Sequence, residues 1–181
     1  FTYFTDMEEA LREPIRKGRT KFLMQFPSLR KPDVREKLPI PWDRNKFERC
    51  KLDFNERETN REWYDLHRDL LRLRRDDPRF AEQKVRGVDG AVLGRDAFVL
   101  RYFGDDGDDR LLIVNLGRAL RLDPAPEPLL APSKAETWEV LWHSESAKYG
   151  GAGDPRPVDG DQNWSVPAEI AVVLRPLAGR S

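Results

Sequence analysis

The sequence has a single cysteine, Cys50, and only two histidines in 181 residues. One thiol excludes an internal disulfide and any multi-cysteine metal site, and it fits a reducing compartment, so the expected location is cytoplasmic. No apolar stretch approaches the roughly 20 residues that span a bilayer. The opening FTYFTDMEE also lacks the basic segment and long apolar run of a signal peptide, so no membrane partner is expected. Net charge is lacking too: 32 Lys+Arg balance 32 Asp+Glu, which argues against a protein that coats nucleic acid. The chain does not start with Met, as expected of a segment from a longer polypeptide.

What the chain does have is charge of both signs. Charged residues make up 35% and apolar residues 39%, against roughly 25% charged in an ordinary domain. The pattern predicts a folded chain with a heavily charged surface. Residues 1–80 carry 20 Lys+Arg and 16 Asp+Glu, whereas residues 81–181 carry 12 and 16. The apolar period changes at the same place, from helical spacing to short β-branched and aromatic runs separated by turn residues. This places a boundary near residues 78–84 and gives two parts, 1–80 and 81–181.

In the first part, Thr5 and Glu8 stand at capping-box spacing ahead of Leu11 and Ile15, with Pro14 and Gly18 as breakers. A second short helix is expected from Thr20 to Phe26, and an extended crossing segment over residues 31–53. The clearest helix is TNREWYDLHRDLLRLRRDDP, residues 59–78. Trp63, Leu66, Leu70 and Leu73 share one face, Arg72, Arg74 and Arg75 sit where the helix dipole favours cations, and Pro78 ends it. The second part reads as antiparallel strands: residues 97–103 and 110–116 flank the tip GDDGDD as a hairpin, and further runs lie near Leu120, at 137–142 and at 169–174. Five or more strands without intervening helices predict a β-sandwich. Trp138, Val140 and Trp142 alternate and are expected on one buried face.

Several constellations have a plain structural reading. Asp105, Asp106, Asp108 and Asp109 crowd the hairpin tip, but the spacing of a calcium loop is absent, so a solvated, metal-free tip is expected. His67 and His143 have no second ligand at metal spacing, and Ser144 and Ser146 do not stand in a nucleophile elbow. Cys50, between Arg49 and Lys51, has no positioned base. The loop SESAKYGGAGDP follows a strand without opening a helix, and Arg156 stands where a dinucleotide fingerprint needs glycine. No cofactor and no metal are expected.

Read in order, FTYFTD, LREPIRKGRTKFLMQFPS, FERCKLDF, LLRLRRDDP, DGAVLGRDAFVLRYF, RLLIVNLG, WEVLWHSESAKYGGAG and NWSVPAEIAVVL resemble the C-terminal region of the maltooligosyltrehalose trehalohydrolase family. These are retaining glycoside hydrolases of the α-amylase clan. The resemblance implies an α+β multidomain fragment, with terminal helices of a (β/α)8 barrel followed by an all-β antiparallel sandwich. It implies a parent enzyme that hydrolyses the α-1,4-glucosidic bond next to the trehalose end of maltooligosyltrehalose, with that oligosaccharide or a related α-glucan as partner.

Retaining hydrolysis needs a nucleophilic carboxylate and a carboxylic acid about 5–5.5 Å apart. In this clan both sit at the ends of middle barrel strands, which would precede Phe1, so the resemblance assigns no catalytic residue to these 181. It leaves Tyr3, Phe4 and Asp6 as one edge of the substrate site, where an aromatic stacks on a glucosyl ring and a carboxylate accepts hydroxyls. Packing of Phe1, Tyr3 and Phe4 at the barrel rim, with Asp6 as a helix cap, is the structural alternative. The YGG loop also resembles that of glycogen branching enzymes, which implies the C-terminal region of such an enzyme as an alternative, and a non-catalytic α-glucan-binding or interaction module is another. An isolated chain with an uncovered helix face would be expected to form a homodimer.

Overall fold

A computed structural model describes residues 4–38, 40–82, 84, 86–132, 137–157 and 163–177. The chain divides into two compact units, Phe1–Asn55 and Glu56–Ser181. The change of period at residues 78–84 is visible as the step from the last helix to the first strand. The compact units part earlier, because the long helix is tied by charged side chains to the strand-bearing unit.

The first unit is helical. Helix α1, Glu9–Leu23, starts after Glu8 and runs through both Pro14 and Gly18. The expected cap at Thr5 is not used, since its hydroxyl donates to the Asp6 carbonyl. Pro14 is the sixth residue of the helix, past the first turn, so its missing N–H removes one i→i−4 hydrogen bond, yet the helix continues through it. Gly18 stays in a right-handed conformation and ends nothing. The two short helices expected here are therefore one, extended to Leu23 before the chain turns at Pro27. The crossing segment is not extended throughout. It holds α2, Pro32–Glu36, which begins on a proline whose fixed φ suits a first helical turn, and α3, Arg44–Cys50, capped by Asp43 accepting from the Asn45 amide. Among the described residues of this unit only Pro41 and Lys46 are buried, and Leu11, Ile15, Phe22 and Phe26 are exposed.

The second unit opens with α4, Glu56–Thr59, α5, Arg61–Asp76, and α6, Pro78–Ala81. Asn60 occupies the cap position of α5, and Asp77 both ends α5 and caps α6 by accepting from the Arg79 amide. Among the described residues seven strands follow: β1 Val88–Gly94, β2 Ala97–Tyr102, β3 Arg110–Asn115, β4 Leu120–Leu122, β5 Thr137–His143, β6 Trp164–Val166 and β7 Ile170–Leu177. They form an antiparallel five-stranded sheet in the order β1-β2-β3-β7-β5 and a two-stranded sheet β4-β6. The expected hairpin is present as β2 and β3, with Val99 opposite Ile113 and Arg101 opposite Leu111.

One buried cluster draws on both sheets: Val99, Leu111, Ile113, Val172 and Leu174 from the large one, and Trp164 and Val166 from the small one. The alternation along β2 follows from one face being sealed in this core while the other is only half-covered. Trp138, Val140 and Trp142 do not share a face. The register slips between Val140 and Trp142, and a one-residue bulge turns every later side chain over. Trp138 is buried, whereas Trp142 is carried to the other side, where it meets Tyr149 with ring centres 6.3 Å apart. Among the described residues no helix is long and apolar enough to cross a membrane.

Candidate functional site

Of the three residues expected at a sugar-binding edge, Tyr3 lies outside the described residues, as does Phe1. Phe4 is half-buried, and its ring lies 4.9 Å from that of Phe47 on α3 in a tilted pair. The Thr5 amide beside it donates to the Pro41 carbonyl at 3.1 Å, which ties the segment before α1 to the one before α3. Asp6 is exposed and does not cap α1. The structure thus gives Phe4 a packing partner and leaves the Asp6 carboxylate facing solvent. Sequence reading missed Lys46, which is buried on α3; burial, with the nearby Arg19, pushes its ammonium below the ordinary lysine range.

In the second unit the YGG loop is the most constrained feature. A 3₁₀ turn, Ala147–Tyr149, is capped by Ser146 and closed by Gly150 at φ +77°. A Cβ on Gly151 would stand 2.2 Å from the backbone carbon of Glu145, so at that position only glycine fits. The Glu145 carboxylate accepts from the Ala152 amide, and its carbonyl accepts from the Gly153 amide at 2.8 Å. This loop grips the polar side of α5. The Tyr149 hydroxyl donates to Asp69 at 2.8 Å and accepts from the Trp142 indole at 3.2 Å. Lys148 closes a salt bridge on the same carboxylate. Asp65, one turn earlier, is buried and paired with Arg68 at 2.6 Å.

Of the predicted apolar face of α5, Leu66 and Leu73 are half-buried while Trp63 and Leu70 are left open. Trp63 is 65% exposed, and Tyr64, Leu70 and Leu71 are exposed as well. The helix is therefore attached through Asp65 and Asp69 and leaves both of its aromatics, Trp63 and Tyr64, exposed, unlike an amphipathic helix in an isolated domain. The signal for this lay in the spacing of Asp65 and Asp69, which share a face, but neither partner loop was legible.

Two titrations follow from the junction. The hydrogen bond from Lys148, reinforced by that from Tyr149, holds the Asp69 carboxyl below its usual range. A depressed carboxylate contributes stability that is complete above the unfolded value and is lost as pH falls through the folded one. Burial, together with the facing Asp69 carboxylate, pushes the Tyr149 phenol up. That contribution is complete below the ordinary tyrosine range and is lost as pH rises through the raised folded value. Asp69→Asn is expected to lower unfolding free energy by about 1–3 kcal/mol at neutral pH and to abolish the acid-side loss. Equal acid sensitivity of variant and parent in urea titrations would refute this.

The hairpin tip is solvated as expected at Asp105, Asp106 and Asp108, which are exposed, but not at Asp109. Asp109 is 2% exposed and accepts from Arg101 Nε and Nη2 at 3.0 and 2.7 Å. Its other oxygen accepts from the Gly104 amide at 2.8 Å. Asp108 and Asp77 both bind Arg110, at 2.6 and 2.7 Å, and Asp105 lies 3.4 Å from Lys84. Asp109 is thus neutralised inside the fold, whereas the exposed Asp105 and Asp108 pair at the surface with Lys84, Arg79 and Arg110. Among the described residues no group of three His, Cys, Asp or Glu is arranged for a metal.

The other side chains singled out in the sequence have structural partners. His67 Nδ1 lies 2.7 Å from the Trp63 carbonyl one turn back, and His143 Nε2 lies 3.2 Å from Asp154. The Ser144 hydroxyl accepts from the Ala171 amide. Cys50 ends α3 and is half-buried.

Residues 85–173 match a family model described as "Domain of unknown function (DUF3459)". The chain is also 35% identical over 127 residues to a protein of Deinococcus radiodurans named "Malto-oligosyltrehalose trehalohydrolase". That alignment covers 67% of this chain and 20% of the relative, so the chain spans about a fifth of the length of the curated protein it matches.

Proposed function

We propose, on the premise that the chain resembles the C-terminal region of a maltooligosyltrehalose trehalohydrolase, that it is the C-terminal part of an α-amylase-family glycoside hydrolase. In this reading residues 1–80 are the closing helices of the catalytic barrel and residues 81–181 are a β-sandwich that braces them, in a cytoplasmic enzyme of trehalose release. The observation that carries it, beyond the 35% identity, is where α5 is wet. An exposed Trp63 with Leu70 and Leu71 beside a firmly bonded acidic side is what a barrel helix presents once its strands are outside the chain considered. The first unit, with exposed Leu11, Ile15, Phe22 and Phe26, fits the same reading.

The chemistry then falls to carboxylates outside these 181 residues, since acid and nucleophile must be held about 5–5.5 Å apart. Tyr3, Phe4 and Asp6 form one edge of the substrate site, Phe4 being steadied by Phe47. The purified 181-residue chain is expected to release no trehalose from maltooligosyltrehalose, and to associate as a homodimer through the open helix faces. Trehalose release by this chain alone would overturn the assignment. Saturable maltodextrin binding abolished by Trp63→Ala, in a folded monomer, would replace it with a glucan-binding module.

A further inference from the structure

A pocket of about 570 Å³ lies at one end of the sheets, bounded by the β1-β2 turn and the segment that follows β3. It is within the size range of small-ligand sites. Its polar rim is formed by Arg95, Asp96 and Arg118. Among the described residues neither guanidinium has an ion-pair or hydrogen-bond partner, and no hydrogen bond reaches the Asp96 carboxylate. Arg101 and Arg110 in the same unit, by contrast, are each bonded to carboxylates. Two unspent guanidiniums beside one unspent carboxylate around a concavity form a constellation that nothing in the fold requires.

The floor beneath them is rigid. Asn115 is buried; its amide donates to the carbonyls of Arg118 and Pro167 at 2.8 and 2.7 Å, and its oxygen accepts from the Gly117 amide at 3.0 Å. The Leu116 amide donates to the Asp96 carbonyl at 2.8 Å, which ties the two turns together, and the Glu169 amide donates to the Gly117 carbonyl. A Cβ on Gly117 would come within 2.8 Å of the Asp96 carboxylate oxygen, so the missing side chain is what keeps that oxygen clear. The turns that carry both arginines are thus preorganised before any ligand arrives, which reduces the ordering cost of binding.

We infer that this pocket binds a phosphate monoester carried on a polyhydroxy compound, the class of a sugar phosphate. The guanidinium fork matches phosphate oxygens in a bidentate way that an ammonium does not, and the local surplus of one positive charge favours an anion. Asp96, an acceptor only when ionised, takes a ligand hydroxyl rather than a second anion. A neutral sugar would leave both guanidiniums unanswered.

The test is an amide chemical-shift titration of the full chain with glucose 6-phosphate, and with glucose alone, at low salt. Saturable shifts at Gly94, Asp96 and Gly117 are expected with the phosphate ester and not with glucose. Arg95→Gln with Arg118→Gln should weaken binding by about tenfold or more, equivalent to about 1.4 kcal/mol. Each single Gln variant, at an exposed turn position, should give an intermediate loss and secures the test if the double variant folds poorly. Unchanged affinity in the Gln variants, shifts that never saturate, or equal binding of glucose would overturn the inference.

Discussion

Asp109→Ala is expected to destabilise the second unit by about 3–5 kcal/mol, the range for breaking one side of a buried ion pair. Asp109 answers Arg101 Nε and Nη2 and the Gly104 amide together. Arg101 is itself 5% exposed and has spent Nη1 on the carbonyls of Leu129 and Ala131, at 3.0 and 2.5 Å. Removing the carboxylate leaves a guanidinium in the interior with no water to replace the lost charge. The arginine also ties the hairpin to the segment before β5, so the damage should reach both layers. Urea unfolding of the variant checks it: a midpoint within error of the parent would show that water reaches Arg101, and the buried-pair account would fail. Arg101→Met combined with Asp109→Leu should recover only part of the loss, because the two carbonyls on the connecting segment would still lack their donor.

Trp138→Ala is the second large effect, with an expected cost of about 3–5 kcal/mol for deleting a buried aromatic. Trp138 belongs to the central cluster, its indole donates to the Leu130 carbonyl at 2.8 Å, and Arg101 lies 5.4 Å from its ring centre. Because Arg101 touches both Trp138 and Asp109, the two substitutions should not add: the double variant is expected to lose less than the sum of the singles. Strict additivity would show that the ring and the ion pair act as independent sites. Trp142, half-buried on the opposite side of the bulge, should cost less when truncated than Trp138. The reverse order would mean that the register slip at Val140 is absent in solution.

Much of the strand-bearing unit was legible because its signals are local. Alternating apolar residues around a turn-rich tip fix β2 and β3 without reference to anything distant, and the short runs at Leu120, 137–142 and 169–174 are strands for the same reason. The helical unit was less legible. Pro14 and Gly18 stop a helix only when nothing favours continuing, and here they lie within α1. The helices in residues 31–53 depend on Pro32 and Asp43 acting as starts, a role that the surrounding prolines masked.

The sequence by itself determined the order of helices before strands, the hairpin, the long helix with its apolar face, and the resemblance of the segments to a trehalohydrolase. These follow from period, turn chemistry and residue identity, which are properties of neighbours in the chain. Only the tertiary structure decided which side of α5 is bonded, where the tip aspartates find their cations, and that Trp142 parts company with Trp138. The first and the last depend on pairing distant in the chain, as between Tyr149 and Asp69 or Trp142 and Val173, and the tip pairs range from Arg101 with Asp109, eight residues apart, to Arg110 with Asp77, 33 apart. A charged residue carries no mark in the sequence of which opposite charge it will meet. A one-residue bulge likewise leaves the apolar pattern intact while turning over the face it describes.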